Sequence, residues 1–201
     1  YQVGSIFLPN DSEMYSQGFN TQVHETSLSK VLEGKSRPTF FRGVTTVVAK
    51  LFNIISPTYA FFGEKDAQQL LIIKKMVTDL AYDIKIIECP IIREKNGLAM
   101  SSRNEYLSSK EKDIASNIYK ALQIGKQLIN SGERNIKIIR REITDFISQK
   151  SIIRVDYISI ADAETLAELS EFSSQNVLVS IAVFIGETRL IDNFTYSNYP
   201  K

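Results

Sequence analysis

An apolar run, Tyr59-Ala60-Phe61-Phe62, meets a glycine at position 63 and passes through Glu64-Lys65-Asp66-Ala67-Gln68-Gln69 into Leu70-Leu71-Ile72-Ile73-Lys74-Lys75-Met76-Val77. That order reads as strand, turn, helix. It restricts the fold more than any other stretch, because in an open α/β sheet ligands bind in the crevice beyond the carboxyl ends of the strands. A glycine at such a turn lets backbone approach a ligand, and the turn carries a lysine, a carboxylate and an amide to the crevice mouth. A structural description fits the same residues. Asp66 with Gln69 three positions later makes a capping box, Gly63 makes the turn, and Lys65 is a solvated charge.

Around this centre, the first half alternates helices with strands. Val3 to Pro9 is an apolar run ended by proline and reads as a short buried strand; Asn10 to Gln22 is polar and turn-like, and Gln22-Val23-His24 is extended. Leu28, Val31 and Leu32 give one face of a short helix closed by Gly34. After a basic and aromatic loop from Lys35 to Gly43, Val44, Val47, Val48, Leu51, Phe52 and Ile55 recur at helical spacing over about three turns. Pro57 stops that helix before a strand from Thr58 to Phe62. The next helix turns Leu70, Ile73, Val77 and Leu80 inward, and Asp83 to Cys89 returns as a strand. This alternation implies a parallel, doubly wound sheet with right-handed crossovers.

The texture changes at Pro90, and the domain boundary is placed there, with residues 1–89 in one domain and 90–201 in the other. Ile91 to Asn104 is a long connection with a hairpin turn at Asn96-Gly97. Ser108 and Glu111 form a capping box for a helix carrying Ile114, Ile118, Ala121, Leu122, Leu128 and Ile129 up to Gly132. A second helix shows Ile136, Ile139, Ile143 and Phe146. Strands from Val155 to Ile160 and Val177 to Ile185 flank one or two helical turns at Ala163 to Leu169. Gly186-Glu187-Thr188 then turns the chain into Arg189-Leu190-Ile191-Asp192-Asn193 as a hairpin. Strands bunched after helices predict a small α+β domain with an antiparallel sheet.

Composition excludes several function classes. The 201 residues are 43% hydrophobic, enough for a sizeable core, and the net charge of +1 gives no field for nucleic acid or an anionic membrane. One cysteine, Cys89, rules out an internal disulfide and a thiolate cage, and one histidine, His24, rules out a His-rich metal site. No apolar run approaches membrane-spanning length and no signal peptide opens the chain, which points to the cytoplasm. An anion must therefore be bound by a local cluster. Met100-Ser101-Ser102-Arg103-Asn104 supplies one: two hydroxyls donate to phosphate oxygens, and a guanidinium binds them through two parallel charge-assisted bonds. With Lys65 it describes two jaws of a polyphosphate site, as expected for a nucleotide held between domains.

The ordered combination of Arg37-Pro38, Phe41-Arg42-Gly43-Val44-Thr45-Thr46-Val47, Phe62 to Asp66 with Gln69, Pro90-Ile91 through Arg93 to Gly97-Leu98-Ala99-Met100-Ser101-Ser102-Arg103-Asn104-Glu105-Tyr106-Leu107, and Arg189 to Asn193 closely resembles the pantothenate synthetase (pantoate–β-alanine ligase) family. The resemblance runs essentially from end to end. It implies a Rossmann-like domain of the nucleotidyltransferase superfamily followed by a smaller lid. It also implies Mg·ATP, pantoate and β-alanine as substrates, a pantoyl-adenylate intermediate, and a homodimer when intact. Gly63, Glu64, Lys65 and Asp66 then lie on the nucleotide, Gln69 holds pantoate, Ile92 lines the adenosine side, and Met100, Ser101, Ser102 and Arg103 close over the phosphates. Lys65, Ser101, Ser102 and Arg103 carry the catalytic roles, by meeting the charge that gathers on pentavalent phosphorus.

Two departures qualify that picture. The family opens with a strand and a Gly-Leu-His-x-Gly-His-like loop whose histidines bind ATP phosphates. Neither is present here, so the chain is expected to be a fragment without one pantoate wall and much of the dimer surface. Thr39-Phe40 also replaces a Gly-His pair of the family. Two other readings stay open at this level: a nucleotidyltransferase acting on a small phosphorylated acceptor, and a non-catalytic nucleotide-binding remnant.

Overall fold

The computed structural model describes residues 2–172 and 176–197. It divides into two compact units, one of residues up to 60 with 72–85 and the other of 61–71 with 86 onward. The turn around Lys65 thus groups with the later half of the chain. The α/β expectation holds. A two-stranded parallel sheet, β1 (Tyr59–Gly63) and β2 (Lys85–Cys89), is accompanied by a three-stranded antiparallel sheet.

In the first unit, a one-turn α1 (Asp11–Met14) starts from a capping box between Asn10 and Glu13. The expected strand from Val3 to Pro9 is not formed. This stretch pairs with none of the described strands, and Val3, Ile6, Phe7 and Leu8 are exposed. An apolar pattern makes a strand only when another edge offers ladder hydrogen bonds, which is why pattern alone misleads here. The helix expected near Leu28 is a 3-10 turn, Leu28–Lys30, followed by the one-turn α2 (Glu33–Ser36), and Gly34 lies inside α2 instead of ending it. A Cβ at Gly34 would sit 1.8 Å from the Ser29 carbonyl oxygen, so close backbone approach accounts for this glycine.

Helix α3 runs Phe40–Ile55, a turn longer than its spacing predicts, because Phe40 to Gly43 form its first turn and are not loop. Its buried face is Phe41, Thr45, Thr46, Ala49 and Phe52, while Ile54 and Ile55 are exposed. Two threonines can be buried because their hydroxyls are fully engaged. The single Thr45 Oγ1 proton is shared between the Val23 carbonyl at 2.6 Å and the Phe41 carbonyl at 2.9 Å, Thr46 Oγ1 donates to the Arg42 carbonyl, and Thr46 Oγ1 accepts the Val23 N–H. Those bonds explain the extended chain at Val23 as well. Phe40 packs under the Arg37 guanidinium, 3.7 Å from its ring centroid. Ser56, in the left-handed region, ends the helix just before Pro57.

Helix α4 (Ala67–Asp79) buries Leu70, Ile72, Ile73 and Met76. Val77 is half-buried and Leu80 exposed, contrary to expectation, since the helix stops at Asp79 and Ala81 turns away with φ 53°.

The second unit holds the main core. Helix α5 (Ser109–Ala115) begins at the predicted capping box of Ser108 and Glu111. The single helix expected to Gly132 is instead broken at Ser116, with α6 spanning Asn117–Asn130. Ser116 Oγ donates to the Asp113 carbonyl and Asn117 Nδ2 to the Ile114 carbonyl, so side chains compete for helix acceptors at the break. Helix α7 (Ile136–Ser148) buries Ile136, Ile139, Ile143 and Ile147, with Phe146 only half-buried. These faces pack on β3 (Ile153–Asp162), β4 (Asn176–Ile185) and β5 (Thr188–Ser197), paired antiparallel in that order. Gly186, at φ 55°, makes the predicted hairpin with Ile185 opposite Thr188. The helical turns expected at Ala163 to Leu169 are absent. Asp162 Oδ1 accepts from the Glu164 and Thr165 N–H groups, and the chain returns to bridge Ala161 with Glu168. An Asx-type turn prevails over weak helical periodicity.

Candidate functional site

Residues Glu64–Asp66 form a 3-10 turn between β1 and α4. Gly63 has φ −76° and ψ 134°, conformations open to any residue, and a Cβ there would meet no protein atom. Neither strain nor internal packing therefore demands this glycine. The turn is held from β5, where Asn193 Nδ2 donates to the Lys65 carbonyl at 2.8 Å and the Glu64 carbonyl at 3.0 Å. The Lys65 side chain is only 16% exposed, and its ammonium lies 3.7 Å from the half-exposed Asp66 carboxylate.

The other jaw follows the predicted hairpin. Arg93 bridges to Ala99, the Glu94 N–H donates to the Leu98 carbonyl, and Gly97 turns the chain at φ 93°. The hairpin is fastened to β5 by an ion pair. Arg93 Nη1 donates to Asp192 Oδ2 at 2.6 Å and Nη2 to Oδ1 at 3.0 Å, with Asp192 3% exposed. The guanidinium also caps the Gly97 carbonyl and lies 4.1 Å from the Tyr119 ring centroid. Ser101 then caps a 3-10 turn, Ser102–Tyr106, accepting the Arg103 N–H at its Oγ. That leaves its O–H free to donate outward. Asn104, 4% exposed, donates through Nδ2 to Glu94 Oε1 and the Ala99 carbonyl, which ties the loop back to the hairpin. Its Oδ1 is buried with no hydrogen-bond partner among the described residues.

Lys65, Ser101, Arg103 and Asn104 line one narrow cleft, together with residues of the hairpin, α6 and β5. Among the described residues no carboxylate pairs with the Arg103 guanidinium, whereas Arg189 at the same cleft is paired with Asp156 at 2.7 Å. The lining thus brings together the cationic side chains of Lys65 and Arg103, the paired Arg189 and the Ser101 hydroxyl, beside an Asp192 carboxylate that Arg93 neutralises. Among the described residues no three His, Cys, Asp or Glu side chains converge as a metal cage. Ser102, Met100 and Ile92 are exposed, and they, with Gly63, Glu64, Asp66 and Gln69, are not among the lining residues of the cleft.

Sequence reasoning gave no site role to Asp192, Asn193, Arg93 or Asn104, whose contacts hold the jaws. The signal for them lay in the resemblance, since all four fall in the motifs that carry it, Arg93 to Leu107 and Arg189 to Asn193.

The pantoate-beta-alanine ligase family model matches residues 1–195. The pantothenate synthetase of Thermosipho africanus is 47% identical over 192 residues, covering 96% of this chain and 68% of that protein. The crystal structure of pantothenate synthetase from Thermus thermophilus superposes with a TM-score of 0.89 at 39% identity, over 96% of this chain and 68% of that one. A pantoate-beta-alanine ligase from Francisella tularensis, solved with beta-gamma ATP and beta-alanine, superposes with a TM-score of 0.68 at 32% identity, over 92% and 61% of the two chains.

Proposed function

Because this chain belongs to the pantoate-beta-alanine ligase family, we propose that it condenses pantoate with β-alanine at the expense of ATP. A pantoate carboxylate oxygen attacks the α-phosphorus, the α–β anhydride bond breaks, and pyrophosphate leaves. The β-alanine nitrogen then attacks the acyl carbon of pantoyl adenylate, the acyl–oxygen bond to AMP breaks, and the amine loses a proton as the amide forms. Both steps pass through states with more negative charge concentrated on phosphate oxygens than the ground state carries. Preorganised cations and donors that meet this charge without reorganising are the largest catalytic resource of such a site.

The observation that carries the assignment is the convergence of Lys65, Ser101 and Arg103 on one cleft, with Arg103 unpaired by any described carboxylate. Lys65 and Arg103 neutralise the phosphates, and the Ser101 and Ser102 hydroxyls donate to their oxygens. Gly63, Glu64 and Asp66 follow the nucleotide along the turn; the bare Gly63 gives room for that approach. Ile92 and Met100 cover the adenosine and phosphates, and the Gln69 amide suits the hydroxyl groups of a hydroxy acid. Mg²⁺ enters as part of the Mg·ATP substrate, held by phosphate oxygens, as this ion usually is. The reading extends to a homodimer when intact, at work in the cytoplasm. Among the described residues no helix is long and apolar enough to cross a membrane.

Pantoate-dependent exchange of labelled pyrophosphate into ATP tests this. Exchange is expected in the intact protein and reduced about 10²- to 10³-fold by Lys65→Ala or Arg103→Ala, the range for losing one charge-stabilising donor. Exchange without pantoate dependence, or undiminished in both variants, overturns the assignment.

A further inference from the structure

The segment Arg189-Leu190-Ile191-Asp192-Asn193 ends in two polar residues that do not face solvent. Adjacent strand residues point to opposite sides, yet Asp192 is 3% and Asn193 5% exposed. Buried polar groups persist where their bonds are made, and each of these makes its bonds to a different jaw of the cleft. Asp192 receives both terminal nitrogens of Arg93, in the hairpin that leads to Ser101, and its Oδ1 also accepts the Asn193 N–H. Asn193 donates to two consecutive carbonyls, those of Glu64 and Lys65.

We propose that Asn193 is a positioning residue for Lys65, fixing the turn so that the ammonium meets the phosphate bound between it and Arg103. Two acceptors one residue apart determine the orientation of both peptide planes, and so the direction in which the Lys65 Cα–Cβ bond leaves the chain. The lysine side chain is long and rotamer-rich, and its ion pair, at 3.7 Å, is with a half-exposed carboxylate. Anchoring its backbone fixes where this largely buried side chain starts, and so adds to the restriction that burial places on its charge. Because Asp192 and Asn193 are neighbours on β5, the same strand also sets the separation of the two jaws. Gly63, at the start of the turn, provides no side-chain cap that could share the task.

This rests on the ligase reading, and a double-mutant cycle separates the two. Single-turnover adenylate formation, with the intact protein in excess over ATP, is measured for wild type, Asn193→Ala, Lys65→Ala and the double variant. Asn193→Ala is expected to slow the step about tenfold or more, as displacement of a catalytic group by a fraction of an ångström does. In the Lys65→Ala background the same change is expected to matter by less than about twofold, the scatter of independent sites. The loss falls on the rate and not on the KM for pantoate. A packing role predicts equal effects in both backgrounds, and that additive result, or an Asn193→Ala rate equal to wild type, overturns the proposal. If Asn193→Ala does not fold, Asn193→Ser keeps a donor too short to span both carbonyls and carries the same cycle. Wild type inactive with pantoate sinks the ligase reading instead. Faster hydrogen exchange of amides at residues 64–71 in the Asn193 variant, with the α6 amides unchanged, then still reports whether Asn193 holds the turn.

Discussion

Replacing Arg93 with methionine removes the charge facing Asp192 while keeping much of the side-chain volume and a sulfur contact with Tyr119. The carboxylate it abandons is 3% exposed and received two hydrogen bonds of 2.6 and 3.0 Å from the guanidinium. Breaking a buried pair by removing one partner costs about 3–5 kcal/mol. Asp192 retains the Asn193 N–H at 2.8 Å, which places the loss near about 3 kcal/mol, the low end of that range. For a chain of this size that corresponds to a melting temperature lower by roughly 6–12 °C. The chain has no tryptophan, so urea and thermal unfolding are best followed by far-ultraviolet circular dichroism. The double variant Arg93→Met with Asp192→Leu is expected to lose less than Arg93→Met alone, because no uncompensated charge remains buried. A loss below about 1 kcal/mol in the single variant, typical of a solvent-screened surface pair, would refute the idea that this ion pair fastens the hairpin.

Gly97→Ala places a Cβ 2.4 Å from Tyr119 Cδ1 at φ 93°, so it is expected to cost about 1–3 kcal/mol and loosen the ring beneath Arg93. An unchanged melting temperature contradicts this. At the start of α5, the Ser108 hydroxyl and then the Ser108 N–H hold the Glu111 carboxyl below its usual range. A carboxyl lowered on folding stabilises at pH above its unfolded value and loses that contribution as pH falls through the lowered folded value. The first turn of α5 is therefore expected to fray on acidification in wild type but not to titrate in Glu111→Ala. The Ser108 amide resonance reports it, and a signal indifferent to pH between about 6 and 3 counts against the capping box.

Local chemistry was the legible part. The Ser108–Glu111 box, the Gly186 hairpin and the Asn96-Gly97 turn depend on residues within a few positions of one another, and all three form where the pattern puts them. Pattern and structure part where a partner distant in sequence decides the outcome. Val3 to Pro9 has a strand's pattern and no described strand to pair with. The apolar spacing of α3 gives Thr45 and Thr46 no place, yet they lie at the centre of its buried face, where Val23 meets their hydroxyls. At Ser116 the helix breaks where two short polar side chains capture carbonyls, a competition that apolar spacing does not register.

Of the site, residue types alone marked out the two charged clusters, since lysine, serine and arginine carry the charge and donors that suit phosphate oxygens. Tertiary structure brought Lys65, Ser101 and Arg103 to one cleft, left Ser102 and the other residues of the Lys65 turn out of its lining, and tied both sides to Asp192 and Asn193, more than a hundred positions from Lys65. The reason is physical. A side chain's chemistry is carried by the residue itself, but the direction of a lysine and the pairing of a buried carboxylate exist only after distant segments have been brought within about 3 Å of each other, the reach of a hydrogen bond.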